Sequence, residues 1–203
     1  ITYQGALVKN SRSQEVLYFH PLAAEPATEI IQFFRDQEVH YHSYFDDQIC
    51  MESLTPEGLQ YEKLAGIKAV IVDDLLTACR SGEAFKIMAV TDNQEKLLDM
   101  ETELKDRYGD KLNITRSKPS FLEVMASEAN KADALRVVAA HYHIKRDEVM
   151  AIGDSFNDIK MLAWAGVGVA MGNAWDEVKR TADFVTLSND EDGVAEALHH
   201  YLL

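Results

Sequence analysis

Apolar positions follow two different rhythms along this chain. From Ser127 onward, helical and strand-like periods alternate strictly. Segment 132–142 places Leu135, Val138 and Ala139 on one helical face, 149–152 is a short apolar run, and 158–165 is helical again. A second apolar run at 167–171, a helix at 174–180, a short strand at 184–186 and a closing helix at 193–201 complete the series. Strand and helix alternating at that spacing predict a parallel sheet with crossover helices. Glycines at 166, 168 and 172 punctuate the strand ends.

Before Ser127 the strands come in runs. Ala6-Leu7-Val8 and Val16-Leu17-Tyr18-Phe19 flank a polar connection and predict a β-hairpin. Segment 27–35, with Pro26 near its start, predicts a helix through Ile30, Ile31, Phe33 and Phe34. Segment 39–45 alternates as a strand and 49–51 reads as a second. The two histidines of 39–45, His40 and His42, share a face without a third ligand nearby, so a partly exposed strand is expected there rather than a metal pair. Segment 55–65 predicts loop and a short helix, 69–72 strand or short helix, and 85–90 a buried strand. A helix at 94–108 sets Leu97, Leu98, Met100, Glu101 and Leu104 on one broad face, and strands follow at 113–117 and 121–125. Strands in runs with two helices have the character of an α+β unit. The expected organisation is a core domain from 1–19 and 125–203, with 20–124 inserted as a second unit.

Charge narrows the partners. A net charge of −14 opposes binding to nucleic acid or to an anionic membrane, yet leaves room for one small phosphorylated ligand neutralised locally. Cys50 and Cys79 have neither metal-ligand spacing nor a disulfide framework, which points to free thiols in a reducing compartment, the cytoplasm by default. No apolar run is long enough to span a membrane. Oligomeric state is left open by the sequence.

The chemistry gathers at Gly153-Asp154-Ser155-Phe156-Asn157-Asp158, straight after the apolar run 149–152. Strand, glycine turn, acidic cluster and helix in that order put carboxylates at the carboxyl end of a buried strand, where open α/β sheets bind ligands. Two carboxylates and an amide so close together suit Mg2+, which takes oxygen ligands. Helix capping by Ser155, Asn157 and Asp158 is the plainer alternative. Lys131 opens a helix where the dipole disfavours a cation, so it is either a solvated surface lysine or a partner for nearby anions.

These blocks, followed by Met161-Leu162, 166–174, Ala182-Asp183 and 189–194, resemble the haloacid dehalogenase superfamily, and more closely its Cof-type phosphatases with an α/β cap. Lys131 matches the family's motif lysine, though the family commonly has glycine where Ala132 stands, and asparagine at the position of Gln4. The resemblance implies a Rossmann-like parallel-sheet core with an inserted α+β cap, at 20–124, that selects the substrate. It implies Mg2+-dependent hydrolysis of small phosphate monoesters through an aspartyl-phosphate. On that basis Asp154 is the expected Mg2+ ligand, Asp158 a catalytic support of the metal site, Asn157 a substrate contact, and Lys131 the catalytic and substrate-binding cation. The family's Asp-x-Asp nucleophile motif and its phosphate-holding Ser or Thr belong before Ile1, so these 203 residues alone are expected to be inactive. The acidic pairs Asp46-Asp47 and Asp73-Asp74 lie in the expected cap and lack that motif's setting. A non-catalytic binding module and a phosphomutase are the alternatives.

Overall fold

The computed structural model describes residues 1–45, 48–81 and 83–202; Asp46 and Asp47 lie outside the described residues. Two compact units divide the chain: Ile1–Tyr18 with Asn130–Leu203, and Phe19–Ala129.

The chain opens with the expected hairpin, β1 (Leu7–Lys9) and β2 (Val16–Phe19). Its connection is tied by Asn10, whose Oδ1 accepts from the amides of Arg12 and Ser13 at 2.9 and 3.1 Å, a local bond that asparagine makes readily in turns.

The second unit then runs α1 (Ala24–Asp36), β3 (His40–Phe45), β4 (Gln48–Met51), α2 (Pro56–Ala65), β5 (Val70–Ile71), α3 (Leu75–Ser81), β6 (Lys86–Val90), α4 (Gln94–Tyr108), β7 (Leu112–Lys118) and β8 (Phe121–Ala126). Its six-stranded sheet has the order β5-β4-β3-β6-β8-β7, antiparallel except between β4 and β5. One apolar cluster joins α1 (Ile30, Ile31, Phe34), α4 (Leu97, Met100, Leu104) and sheet residues such as Ile87, Leu122 and Val124. Segment 69–72 resolves as strand, an exposed edge beside β4. Leu98, expected on the buried face of α4, is 45% exposed, because the true stripe is the narrower Leu97–Met100–Glu101–Leu104 row. Residues 125–129 stay with this unit: β8 continues to Ala126, and Asn113 Nδ2 donates to Ala129 O at 2.6 Å.

Helix α3 has no counterpart among the expected elements. Asp74 explains it: its carboxylate accepts from the amides of Leu76 and Thr77 and from Arg35, capping a helix of seven residues, too short to show a period. Bonds from Thr77 and Arg35 hold that carboxyl down to about 2. The pair Asp73-Asp74 is thus committed, through Asp74, to structure.

The histidine strand is more buried than its alternation suggests. His42 is fully buried and His40 nearly so, because α2 lies over this face of the sheet, with Tyr61 4.2 Å from the His42 ring. His40 Nε2 and His42 Nδ1 are 3.2 Å apart, and His40 Nδ1 is 2.8 Å from Thr55 Oγ1. Among the described residues no group of three metal-ligating side chains forms. Desolvation lowers both histidines below the ordinary 6.5, His42 well below, with repulsion from His40 and Lys86 adding to the effect there. In this window the unfolded chain binds more protons than the folded one, so stability falls as pH drops through about 6.5. Calorimetry between pH 8 and pH 5 should show a descending melting temperature, and His42→Gln should flatten it. An equal slope in that variant would assign the acid sensitivity elsewhere.

The first unit resumes with α5 (Lys131–His141), β9 (Met150–Gly153), α6 (Ile159–Trp164), β10 (Val167–Ala170), α7 (Asp176–Thr181), β11 (Phe184–Val185) and α8 (Gly193–Leu202). The strands form a parallel sheet of order β11-β10-β9, as the alternating rhythm predicts. Its core is small and alanine-rich: Ala151, Leu162, Ala165, Ala170, Met171, Ala174 and Val178 are buried, with Leu135 packed against them. On α5 the buried positions are Ala132, Ala134 and Ala139, while Leu135 and Val138 are only half-buried. The family-like α/β core with an α+β insertion is therefore the observed fold class. Among the described residues no helix is long and apolar enough to cross a membrane.

Candidate active site

Parallel pairing brings the carboxyl ends of β9, β10 and β11 to one edge of the sheet. Asp154 follows β9 there, Gly172 and Asn173 follow β10, and Ser188 and Asn189 follow β11. The loops are tied together, since Asn189 N donates to Asn173 Oδ1 at 2.9 Å and Gly172 N to Leu187 O at 2.9 Å. Asp183, quoted above only as part of a motif, accepts from Gly168 N at 2.8 Å and fixes the entry to β11.

After β9 the chain makes a single tight turn, Phe156–Asp158, and enters α6. Asp158 is 4% exposed and both its oxygens are engaged. Oδ2 accepts from the amides of Asp154 and Ser155, each at 3.0 Å, turning the carboxylate back on its own helix start. Oδ1 accepts from Lys131 Nζ at 2.5 Å. Gly153 permits this close turn: a Cβ there would stand 2.5 Å from Asp158 Cβ. The helix-capping reading of this cluster is correct for Asp158, and the surface reading of Lys131 is not.

Lys131 is the first residue of α5, whose N-cap Asn130 accepts from Asp133 N at 3.0 Å. Its side chain is 30% exposed, and its ammonium bonds the buried Asp158 carboxylate. The unfavourable dipole at a helix start is offset by that carboxylate. Asp154, by contrast, is exposed, and among the described residues its side chain accepts one hydrogen bond, from Ser155 Oγ at 3.3 Å. Asn157 is half-buried, and its Nδ2 donates to Gln4 Oε1 at 2.7 Å. The structure thus brings Lys131, Asp158, Asp154 and Asn157 together around one turn, and adds Gln4, which the sequence marked only as a departure from the family's asparagine.

The donor set fits a hard cation in part. Asp154 offers an exposed carboxylate at a strand's carboxyl end, while both oxygens of the buried Asp158 carboxylate already accept hydrogen bonds, from Lys131 and from two amides. Mg2+ is commonly held by one or two carboxylates together with substrate oxygens and water, so a single carboxylate here suits it.

The sequence matches, over residues 1–198, the model of a family described as haloacid dehalogenase-like hydrolase. The chain belongs to that family. A crystal structure of a haloacid dehalogenase-like hydrolase from Bacteroides thetaiotaomicron is 37% identical, superposes with a TM-score of 0.79, and is matched over 98% of this chain and 74% of its own. A solved haloacid dehalogenase subclass IIB sugar phosphatase is 27% identical with a TM-score of 0.79, over 98% of this chain and 73% of its own. The 5-amino-6-(5-phospho-D-ribitylamino)uracil phosphatase YcsE of Bacillus subtilis (strain 168) is 52% identical over 97 residues, 48% of this chain and 39% of that protein.

Proposed function

We propose that this haloacid dehalogenase-like chain carries the charge-balancing side of a Mg2+-dependent phosphatase active site, acting on small phosphate monoesters such as sugar phosphates. The observation that carries this reading is the Lys131–Asp158 pair, whose lysine side chain is only part-buried, next to the exposed Asp154. The likeness to a sugar phosphatase supports the substrate class. Asp154 would ligate Mg2+, which when bound neutralises phosphoryl oxygens. Lys131 holds a second positive charge toward the same oxygens, as a compact ammonium can. Asp158 holds and aims the Lys131 ammonium, which makes it a positioning residue rather than a second metal ligand. Asn157 contacts the phosphate-bearing ligand. A nucleophilic aspartate would take up the phosphoryl group before water releases it. The unit at Phe19–Ala129 acts as the cap that selects the leaving group. Two buried free thiols, Cys50 and Cys79, suit a reducing compartment such as the cytoplasm.

The deciding experiment screens the product of the complete reading frame against sugar phosphates, nucleotides and phosphorylated cofactors, with and without Mg2+. Release of inorganic phosphate only with the cation supports the reading. An isomerised phosphate ester would make the protein a mutase, and no turnover with retained binding would make it a binding module. In the same assay Asp154→Asn should raise the Mg2+ concentration needed and cut turnover about a hundredfold or more, the scale of losing an electrostatic stabiliser. Full activity in that variant would sink the metal assignment.

A further inference from the structure

Tyr3–Gly5 is the one stretch, among the described residues, where three consecutive positions lie in the left-handed region: φ is 51° at Tyr3, 56° at Gln4 and 105° at Gly5. That conformation is uncommon for residues with a Cβ and persists where the surroundings over-determine it. Here they do. Gly5 runs against the start of α5, where a Cβ would stand 2.3 Å from Asn130 O, so only glycine can pass. The residue before it, Gln4, accepts the Asn157 Nδ2 hydrogen bond from 153 positions away.

The other end of the Asn157 carboxamide, Oδ1, is buried and has no hydrogen-bond partner. A buried orphan of that kind is costly and rare. Turning both carboxamides round would exchange the labels without changing the count: one polar end of Asn157 is committed to Gln4 and one is left over. Asn157 lies in the turn that joins Asp154 to Asp158, at the carboxyl edge of the sheet.

We infer that Gln4 is a positioning residue: with both carboxamides turned, Gln4 Nε2 donates to Asn157 Oδ1 and locks that carboxamide so that its Nδ2 is left to donate to an oxygen of the phosphate-bearing ligand. The inference rests on the phosphatase reading above and gives the strained turn a purpose. Gly5 on Asn130 fixes the backbone, the left-handed turn aims Gln4, and Gln4 aims Asn157.

Two variants of the product of the complete reading frame separate this role from a structural one. Gln4→Gly adopts φ near 56° without strain and removes the amide. Gln4→Met keeps the side-chain length and the strain but cannot hydrogen-bond. Both should lower kcat/KM for a phosphate ester about tenfold, the scale of one lost hydrogen bond. Gln4→Gly should nevertheless melt at or above the wild-type temperature. In both, the side-chain amide signal of Asn157 in 15N NMR should move, and inorganic phosphate with Mg2+ should shift it less than in the wild type. Wild-type kcat/KM and an unchanged phosphate response would overturn the inference, as would a loss that tracks a lowered melting temperature in both variants. Asp154→Asn, run in parallel, keeps the two ideas apart. If it is fully active, only the Asp154 metal assignment falls; if the wild type releases no phosphate from any ester, the phosphatase reading fails and takes the positioning role with it. If Asp154→Asn is crippled while both Gln4 variants are normal, only the positioning role falls.

Discussion

Replacing Lys131 by alanine should lower phosphate-ester turnover by two to three powers of ten, about 3–4 kcal/mol of barrier, the cost of removing one preorganised electrostatic stabiliser. The size follows from where the ammonium sits. It is held at 2.5 Å from Asp158, on a side chain that is 30% exposed, so it offers a fixed charge rather than a mobile one. A fixed charge pays no reorganisation as negative charge shifts between phosphoryl oxygens. Lys131→Arg should recover little, because a planar guanidinium cannot occupy an ammonium's place against one carboxylate oxygen. The measurement is kcat and kcat/KM for a sugar phosphate, with the melting temperature as control. Near-normal rates in Lys131→Ala would reduce the pair to a structural ion pair.

How much of this was legible beforehand depends on which interactions set each element. The alternating half of the chain reads correctly because period and length agree: every strand from β9 to β11 is a short apolar run closed by glycine or a polar turn. The hairpin, α1, α4 and the long strands of the second unit read correctly for the same reason. Helix α3 was not legible, because Asp74 and Arg35, 39 positions apart, stabilise seven residues that show no period of their own. The burial of His40 and His42 was missed because alternation gives two faces but cannot say that α2 covers the more polar one. At the site, the cluster of Asp154, Asn157 and Asp158 was visible from spacing alone. The division of labour was not. Which carboxylate turns inward depends on Lys131, 27 residues earlier, and on a glycine at 153 that admits the close turn. Gln4 was the least legible, since a glutamine near a strand carries no signal until its partner, 153 residues on, is known.

Asp158→Ala should destabilise the first unit by about 2–4 kcal/mol, and should cost activity on the scale of Lys131→Ala although Asp158 need not touch the ligand. Removing one member of a buried ion pair leaves the other uncompensated, which commonly costs about 3–5 kcal/mol. Lys131 can draw water through its open third, which lowers the figure, while the orphaned amides of Asp154 and Ser155 raise it. Both tryptophans, Trp164 and Trp175, belong to this unit, so their fluorescence in urea reports its unfolding separately from the second unit. Asp158→Asn is the sharper probe. Its carbonyl can still accept from the two amides, but its nitrogen would face the lysine, donor against donor, so stability should be largely kept while Lys131 loses its fixed place. The Lys131→Ala/Asp158→Ala double variant completes the argument. If Asp158 acts through Lys131, the double variant should be about as slow as either single one, as residues that work as a unit are. Losses that instead multiply would show two independent contributions, and would return Asp158 to a separate role at the metal.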